Sequence, residues 1–367
     1  MLTDQKDLSI AFILAYELSP HAGVVRPFIN WTKELRRIGV RAEVVLYRAS
    51  DSIAERLDEL NIRYSMVNSV DELKRSLREG SYSYVITDDY IKRLELVAST
   101  VPREKLVIYA QVLYGIHAVF PLFKHSVLPL KHRSMLNLAK AIPFPALRHR
   151  YVRKLSKAQI IIANSGTTET LLYTLYGITP KGVVYPPVDT EVFKPRGTPK
   201  RNQAMLYLGS NAGDTNPNLV EKICRVLNQD GIDVISFGNK RLAIKLREKC
   251  KANYISNVPD EELAKLYSES LVTITPQTWE TFGYVVAESI ACGTPVIALA
   301  IVGSKEIISL TGLGVLARSE KDFLETLMQF RNLDTILNFA KRSLTDTDEL
   351  PFSSKVTVSN MLSLILT

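Results

Sequence analysis

Two glutamates, Glu280 and Glu288, stand eight positions apart in a segment that joins a buried strand to a helix. The run Leu271–Thr275 predicts the strand, and the helix is expected to begin near Thr281 and to end at Gly293. A helix that starts at the carboxyl end of a strand offers backbone N–H groups and the positive end of its dipole to an anion such as a diphosphate. At about 1.5 Å rise per residue, the two carboxylates would lie about 12 Å apart, the span of a sugar diphosphate from hexose to ribose.

Each glutamate also has a structural explanation, since a Glu at a helix start is a favourable dipole partner and Glu288 could belong to a solvated helix face. The surrounding residues favour binding, because Pro276–Glu288 resembles the glutamate-x7-glutamate donor motif of retaining glycosyltransferases with the GT-B fold, glycosyltransferase family 4. The resemblance implies that Glu280 contacts the donor sugar and Glu288 the ribose. The amides that it assigns to the diphosphate are those of Thr281, Phe282 and Gly283.

Strands and helices alternate along the chain, a pattern typical of parallel sheets covered on both faces. The predicted strands are Leu8–Leu14, Ala42–Tyr47, Ser83–Ile86, Leu106–Tyr109, Gln159–Ala163, Met205–Leu208, Asp233–Phe237, Tyr254–Ile255, Leu271–Thr275 and Pro295–Ala300. The predicted helices, besides the one near Thr281, are Pro27–Ile38, Asp71–Arg78, Pro217–Asn228, Arg241–Lys251 and Asp260–Ser268, with Asp260 as the N-cap of the last.

A proline-rich stretch, Pro186–Lys200, predicts a linker between two domains. The resemblance to family 4 covers most of the chain and implies an α/β GT-B fold, in which two Rossmann-like doubly wound parallel-sheet domains face a central cleft. Residues 1–187 would bind the acceptor, 188–350 would bind the nucleotide sugar, and a terminal helix within 351–367 would pack back on the first domain. Further similar segments are Ala163–Ser165, Tyr185–Asp189, Val258–Leu263, which adds Val258 to the donor site, and Gly303–Ile308.

The chain departs from the family where an Arg and a Lys usually neutralise the diphosphate. Ser210 stands in place of the Arg and Thr215 in place of the Lys. Each charge-assisted contact to phosphate contributes on the order of 1.5–3 kcal/mol, so the loss is substantial. Lys240 or Arg241, and Arg26 from the first domain, are candidates to compensate, and all three also fit an ordinary charged surface.

A second departure concerns the family's histidine, which follows a strand of the first domain and contacts the donor sugar. Here Gln111 follows the strand and His117 comes six residues later. Gln can bond a sugar hydroxyl but cannot exchange a proton near neutral pH. His117 is therefore a candidate for the site, or a packed histidine beside Tyr114 and Phe120. Gly23 matches the glycine that lets the first-domain backbone approach the donor.

The charge is concentrated in one stretch, since 124–157 contains nine Lys or Arg and no Asp or Glu, while the whole chain has a formal charge of +8. Apolar residues lie between these cations, as expected of a surface that meets an anionic bilayer. A basic surface without a ligand is the alternative. Nucleic acid is not expected, because stacking aromatics and a recognised motif are missing.

Composition predicts a globular protein, with 46% hydrophobic and 23% charged residues and no apolar run near 18 residues. The N-terminus is a poor secretory signal, and three dispersed cysteines indicate buried thiols in a reducing compartment without a disulfide or zinc pattern. The adjacent pair Asp88 and Asp89 indicates a turn at a strand end rather than a metal site. The resemblance also implies no obligatory metal or other cofactor.

These observations predict a cytoplasmic, membrane-associated, retaining glycosyltransferase that moves a hexose from a nucleotide diphosphate sugar to a lipid-linked or surface-glycan acceptor. Two alternatives remain at this level. The missing Arg and Lys allow a catalytically weakened binding subunit of a glycan-assembly complex, and the fold also accommodates an epimerase or phosphorylase.

Overall fold

The computed structural model describes residues 8–16, 19–114, 116, 144–209, 215–300, 303–329 and 347–367. Two compact units divide the chain. Unit 1 contains the described residues up to 187 together with 351–367, and unit 2 contains the described residues from 188 to 350.

A parallel sheet forms the centre of unit 1. Its strands are β1 (Ser9–Ala15), β2 (Arg41–Tyr47), β3 (Tyr64–Val67), β4 (Tyr84–Asp88), β5 (Leu106–Ala110), β6 (Ile160–Ala163) and β7 (Gly182–Val183). Their order across the described part of the sheet is β3-β2-β1-β4-β5-β6-β7. Every residue of β1 is buried, as expected of an apolar strand at the centre of a parallel sheet.

The helices of unit 1 connect these strands. They are α1 (Arg26–Arg37), α2 (Asp51–Glu59), α3 (Val70–Gly80), α4 (Ile91–Val97), α5 (Phe144–Leu155) and α6 (Gly166–Leu171), which continues into a π-helical turn at Leu172–Tyr176. Helix α1 begins with Pro27 in its first turn and is followed by Gly39 at φ +84°, which ends it.

Unit 2 contains a second parallel sheet. Its strands are β8 (Gln203–Tyr207), β9 (Asp233–Phe237), β10 (Ala252–Ile255), β11 (Val272–Thr275), β12 (Val296–Leu299) and β13 (Gly314–Ala317), in the order β10-β9-β8-β11-β12-β13 over the described residues. Its helices are α7 (Pro217–Gln229), α8 (Lys240–Arg247), α9 (Asp260–Glu269), α10 (Tyr284–Ala291), α11 (Ser304–Thr311) and α12 (Glu320–Gln329).

The last helix, α13 (Ser354–Leu366), belongs to unit 1. Ser353 caps its start by accepting the Val356 N–H at 3.2 Å. Its apolar face joins the core of unit 1, and the indole N–H of Trp31 in α1 donates to Thr357 Oγ1 at 3.1 Å. Sequence-distant residues therefore complete one core.

The structure confirms the alternating α/β pattern and every predicted strand to within three residues at each end. Strands β3, β7 and β13 were not predicted from the sequence; over the described residues all three lie at an edge of their sheet, and each is at most four residues long. Helices α2, α4, α5, α6, α11 and α12 were not predicted either.

Three expectations are wrong. Helix α10 begins at Tyr284 rather than near Thr281, because Gly283 takes a left-handed conformation at φ +104° that a helix cannot include. The N-cap of α9 is Pro259 instead of Asp260, which is the first helical residue. Cys224 and Cys250 form a disulfide with a Cα–Cα distance of 6.2 Å, so only Cys292 is a buried free thiol.

Within the described ranges, none of the helices combines the length and the hydrophobicity needed to cross a lipid bilayer.

Candidate functional site

The strand order of each sheet reverses at one point, between β1 and β4 in unit 1 and between β8 and β11 in unit 2. At such a point the connections leave to opposite sides of the sheet, and a crevice forms beyond the carboxyl ends of the strands. This is where open parallel sheets bind ligands. The segments that follow these strands are therefore the candidate site of each unit.

In unit 2, the segment after β11 holds Glu280 against the start of α10. A Cβ atom at Gly283 would lie 2.8 Å from Glu280 Oε1 and 3.1 Å from its Cδ. The carboxylate thus lies beside the backbone of the residue that precedes the helix. No side chain of the described residues caps this helix start. Because Glu280 precedes the helix, the separation of about 12 Å, which assumed both glutamates on one helix, does not apply.

The start of α11 lies against the same turn. The Gly303 N–H donates to the carbonyl oxygen of Glu280 at 3.1 Å. A Cβ at Gly303 would lie 2.5 Å from the carbonyl carbon of Thr281 and 2.7 Å from the nitrogen of Phe282. Two helix N-termini, each with a positive dipole end, therefore adjoin the segment from Glu280 to Gly283.

Glu288 lies in the second turn of α10 and is 2% exposed. The Tyr267 hydroxyl donates to its Oε2 at 3.4 Å, and Ser289 Oγ donates to Thr273 Oγ1 in β11 at 2.8 Å, which fixes the helix on the sheet. The explanation of Glu288 as part of a solvated face is thus wrong. Burial and the nearby Glu288 carboxylate raise the pKa of the Cys292 thiol to about 12.

Four buried neutral side chains at this edge have a polar atom without a hydrogen-bond partner in the described structure. They are Thr215 Oγ1, Thr275 Oγ1, Gln277 Oε1 and Ser304 Oγ, and their residues are 3%, 1%, 4% and 1% exposed. Thr215 and Gln277 pair in an isolated antiparallel bridge, directly beyond the switch point between β8 and β11. Buried polar groups in folded proteins are nearly always hydrogen-bonded, so this concentration indicates a binding site.

The other donor-site candidates of unit 2 lie at the same edge of the sheet. Lys240 is the exposed first residue of α8, after β9, and Val258 is half-buried between β10 and α9. Asn239 caps α8 by accepting the N–H groups of Arg241 and Leu242. Ser210 lies outside the described residues. The structure therefore brings Thr215, Lys240, Val258 and Glu280 to one edge without defining a charge partner for a phosphate.

In unit 1, Gln111 directly follows β5 and contacts the segment that contains Gly23. Its side-chain Nε2 donates to the carbonyl oxygen of Val24 at 3.1 Å. Gly23 is exposed, whereas Gln111 is 6% exposed. These two predicted residues therefore belong to neighbouring segments. His117 lies outside the described residues.

The Asp89 carboxylate holds the backbone after β5. Asp89 Oδ1 accepts the N–H groups of Gln111 and Val112 at 2.8 Å each, and Oδ2 accepts the Leu113 N–H at 2.7 Å. The Tyr151 hydroxyl of α5 donates to Oδ2 at 2.6 Å. Asp89 is fully buried and its carboxylate accepts four hydrogen bonds, which makes the turn after β5 rigid.

Its neighbour Asp88 pairs with Arg93 of α4, whose NH1 lies 2.8 Å from Asp88 Oδ2 with both side chains buried. The Tyr90 N–H donates to Asp88 Oδ1 at 2.9 Å. Burial raises the pKa of Asp88 to about 6, and the Arg93 charge opposes this rise. The prediction of a turn at this strand end agrees with these contacts, and the described residues contain no cluster of metal-ligating side chains.

Backbone strain lies at the same edge of unit 1. Tyr16 after β1, Arg48 after β2 and Leu113 after β5 have positive φ angles of 64°, 47° and 54°. Such conformations in bulky residues are unfavourable and are concentrated at functional sites. The sequence analysis assigned no role to Tyr151 and interpreted Asp89 as part of a turn. Gln277 and Ser304 lie inside segments that resemble the family, Pro276–Glu288 and Gly303–Ile308, but were not selected individually.

Comparison with known proteins agrees with this geometry. Residues 189–340 match the family model "Glycosyl transferases group 1", and this segment makes up most of unit 2. A D-inositol 3-phosphate glycosyltransferase of Thermomonospora curvata is 27% identical over 251 residues, 56% of this chain and 58% of that protein. A second, from Catenulispora acidiphila, is 27% identical over 191 residues, 44% of this chain and 46% of that protein. The chain thus spans about half the length of the curated relatives it matches.

Solved structures resemble the whole chain. A glycosyltransferase from Rickettsia africae aligns with a TM-score of 0.70 and 16% identity over 98% of both chains. Anabaena HepE, solved in complex with UDP and glucose, aligns with a TM-score of 0.72 and 15% identity over 98% of this chain and 100% of that chain. This likeness confirms the predicted GT-B fold class with two Rossmann-like parallel-sheet domains.

Proposed function

We propose that this protein is a retaining glycosyltransferase that transfers a hexose from a nucleotide diphosphate sugar to a hydroxyl acceptor. The observation that carries the proposal is the turn after β11, where Glu280 lies beside the start of α10 and Glu288 is buried one turn into that helix. The family match of residues 189–340 and a structural neighbour with bound UDP support the same assignment.

The contacts of unit 2 give each group a role. The dipoles of α10 and α11 stabilise the negative charge that develops on the diphosphate when its bond to the anomeric carbon breaks. The half-buried Glu280 carboxylate accepts hydroxyl hydrogen bonds from the hexose, and Glu288 does so from the ribose. The acceptor oxygen forms the new bond to the anomeric carbon and gives its proton to the departing diphosphate. Thr215, Thr275, Gln277 and Ser304 at this edge are neutral, so helix dipoles and hydroxyl groups supply much of the stabilisation.

We assign acceptor binding to unit 1, at a membrane surface. Helix α5 carries the described end of the basic stretch, in which Arg153 and Lys157 are exposed. Arg148 instead donates to the carbonyl oxygens of Leu175 and Tyr176, and Arg150 pairs with Glu95. We therefore assign a lipid-linked or surface-glycan acceptor at the cytoplasmic face of a membrane. The names of the curated relatives make D-inositol 3-phosphate a second acceptor to test.

Binding and turnover of nucleotide sugars test the proposed transferase activity. Nucleoside diphosphates and their sugars should raise the melting temperature of the wild-type protein, because ligands that bind the folded state stabilise it. Glu280→Ala should lose transfer by at least about a hundredfold, the order of about 2.7 kcal/mol in transition-state stabilisation, while it keeps its fold.

Glu325→Ala is the matched control, since Glu325 lies on the surface of α12 in an exposed pair with Lys321. Normal turnover by Glu280→Ala would remove the proposed mechanism. A wild-type protein that no nucleotide sugar stabilises at millimolar concentration would instead favour the binding-subunit alternative.

Flotation with liposomes tests the membrane assignment. Wild-type protein should float with anionic vesicles at low salt and not with neutral ones, because exposed Lys and Arg each contribute about 1 kcal/mol near an anionic surface. The double variant Arg153→Glu/Lys157→Glu should float less, while Lys222→Glu/Lys245→Glu on unit 2 is the charge-matched control. Equal flotation of the two variants would contradict the role of α5.

A further inference from the structure

Near the starts of α10 and α11, beside the Glu280 and Glu288 carboxylates, four buried neutral side chains have a polar atom without a hydrogen-bond partner in the described residues. Thr215 and Gln277 form their bridge at the switch point, Thr275 ends β11, and Ser304 is the first residue of α11. The Gly303 backbone lies in contact with the Glu280 turn, so Ser304 is next to the segment that precedes α10. The four residues thus lie on adjacent segments at the carboxyl edge of the sheet of unit 2.

The neighbouring residue of the same type shows that these atoms are exceptional. Thr273 lies two residues before Thr275, on the same face of β11, and is equally buried. Its Oγ1 accepts a hydrogen bond from Ser289 Oγ at 2.8 Å, whereas Thr275 Oγ1 has no such partner in the described residues. Burying a hydroxyl group that has no hydrogen-bond partner is unfavourable, because the group gives up its hydrogen bonds to water. Thr275 therefore lowers the stability of the folded protein.

We propose that Thr215, Thr275, Gln277 and Ser304 are hydrogen-bonding residues for the second phosphate of the nucleoside diphosphate and the groups attached to it. This inference rests on the proposed function and adds binding residues to it. Hydroxyl groups of Thr and Ser donate to phosphate oxygens, and Gln277 Oε1 accepts from a sugar hydroxyl. The two helix N-termini supply the positive potential, so the site binds a diphosphate through dipoles and neutral donors.

The test uses three single variants, Thr215→Val, Thr275→Val and Ser304→Ala. Each variant removes one hydroxyl group without a large change in side-chain volume. The probes are UDP and UMP, with binding measured by calorimetry. Each variant should bind UDP about ten- to a hundredfold more weakly, as expected for one hydrogen bond to a charged group, and UMP with little change. The melting temperature of the protein without ligand should stay the same or rise, because an unpartnered buried group has been removed.

Thr273→Val is the matched control, since it removes a hydroxyl that already has a partner. It should lower the melting temperature and leave UDP affinity unchanged. Unchanged UDP affinity in all three site variants would overturn the proposal and assign these hydroxyls a structural role. Equal losses for UDP and UMP would also overturn it, because the contact would then be with the nucleoside or the first phosphate.

Failure of the inference can be distinguished from failure of the proposed function. If wild-type protein binds UDP and the variants bind it equally well, only the inference is wrong. If wild-type protein binds GDP or ADP in place of UDP, the same variants are measured with that diphosphate and its monophosphate. If it binds none of the three, the proposed nucleotide-sugar activity fails first.

Discussion

Two adjacent carboxylates show how much the surroundings of a residue decide its role. Asp89 is held by four hydrogen-bond donors, whereas Asp88 is paired with a single buried Arg93. Both are fully buried at the end of β4. Four donors compensate one carboxylate for the loss of water, while burial raises the pKa of the other. The same residue type therefore fixes a turn at one position and titrates near pH 6 at the next.

The raised pKa of Asp88 predicts a proton-linked part of the stability. Its pKa is about 6 in the folded protein against 3.8 for an ordinary Asp, so its protonated form favours folding. This contribution is complete below about pH 4 and is lost as the pH rises through about 6, by up to roughly 3 kcal/mol. Urea unfolding from pH 4 to 7 should show that the difference between wild type and Asp88→Asn decreases with pH.

Asp51→Asn, at the exposed start of α2, is the control for the loss of one carboxylate. A difference between wild type and Asp88→Asn that is constant from pH 4 to 7 would contradict the assignment.

The Asp89 contacts predict a local effect. Asp89→Asn replaces one acceptor oxygen by an NH₂ group that faces N–H donors, and should cost about 2–4 kcal/mol of unfolding free energy. Tyr151→Phe removes only one of the four donors and should cost about 1–2 kcal/mol. Amide hydrogen exchange should show faster exchange at Gln111, Val112 and Leu113 in Asp89→Asn. Equal protection of these amides in both variants and wild type would disprove the role of the carboxylate.

At the scale of elements, two glycines determine how the turn after β11 meets two helices. Gly283 has a left-handed φ of +104°, and Gly303 contacts the backbone of Thr281 and Phe282. The two glycines differ in the atoms that an added Cβ would contact. At Gly283 they belong to the flexible Glu280 side chain, and at Gly303 they belong to backbone that cannot move away.

Alanine at these glycines should therefore act differently. Gly303→Ala should destabilise unit 2 by more than about 2 kcal/mol and abolish nucleotide binding, because the clash is with backbone. Gly283→Ala should cost about 1–2 kcal/mol from its φ angle and should reduce turnover by displacing Glu280. Gly312→Ala is the control, since its φ is +67° and no atom lies within 4 Å of the added Cβ. Gly312→Ala should lower the melting temperature because of its positive φ angle, and it should leave the nucleotide affinity unchanged.

The sequence predicted the elements better than their ends. The apolar runs defined ten strands, because buried parallel strands consist almost entirely of apolar residues. The start of α10 was misplaced because Thr281 and Phe282 suit a helix as well as a turn, and the contacts of Gly303 and Glu280 decide between them. The glutamate motif drew attention to the right edge of unit 2. The roles of Ser304 and Asp89 could not be predicted, since they depend on groups distant in sequence.

At the scale of the whole molecule, the disulfide is the largest departure from expectation. Cys224 in α7 and Cys250 before β10 are 26 residues apart in sequence, so the pair was not recognised as a bridge. The bond joins a helix of unit 2 to the segment that leads into an edge strand. Disulfides persist in oxidising compartments, whereas a reducing cytoplasm keeps such a pair as thiols.

Thiol labelling measures this state directly. In denaturant without reductant, only Cys292 should react, and after reduction all three cysteines should react. Cys224→Ala/Cys250→Ala should lower the unfolding free energy by about 2–4 kcal/mol relative to the oxidised protein. In protein isolated without oxidant, three reactive thiols before reduction would show that the bridge is not formed in the cell, and a single reactive thiol would contradict the proposed cytoplasmic location.

The position of α13 has a consequence for synthesis on the ribosome. The described residues of unit 2 all precede α13 in the chain, so unit 2 can be finished while translation is still under way. Unit 1 instead needs Val358, Met361 and Ile365 to close its core, and Thr357 to accept the Trp31 indole N–H. Until α13 emerges, the nascent chain exposes an apolar surface on α1. Aggregation and chaperone capture are therefore expected before the final helix docks, even though most of that core was translated first.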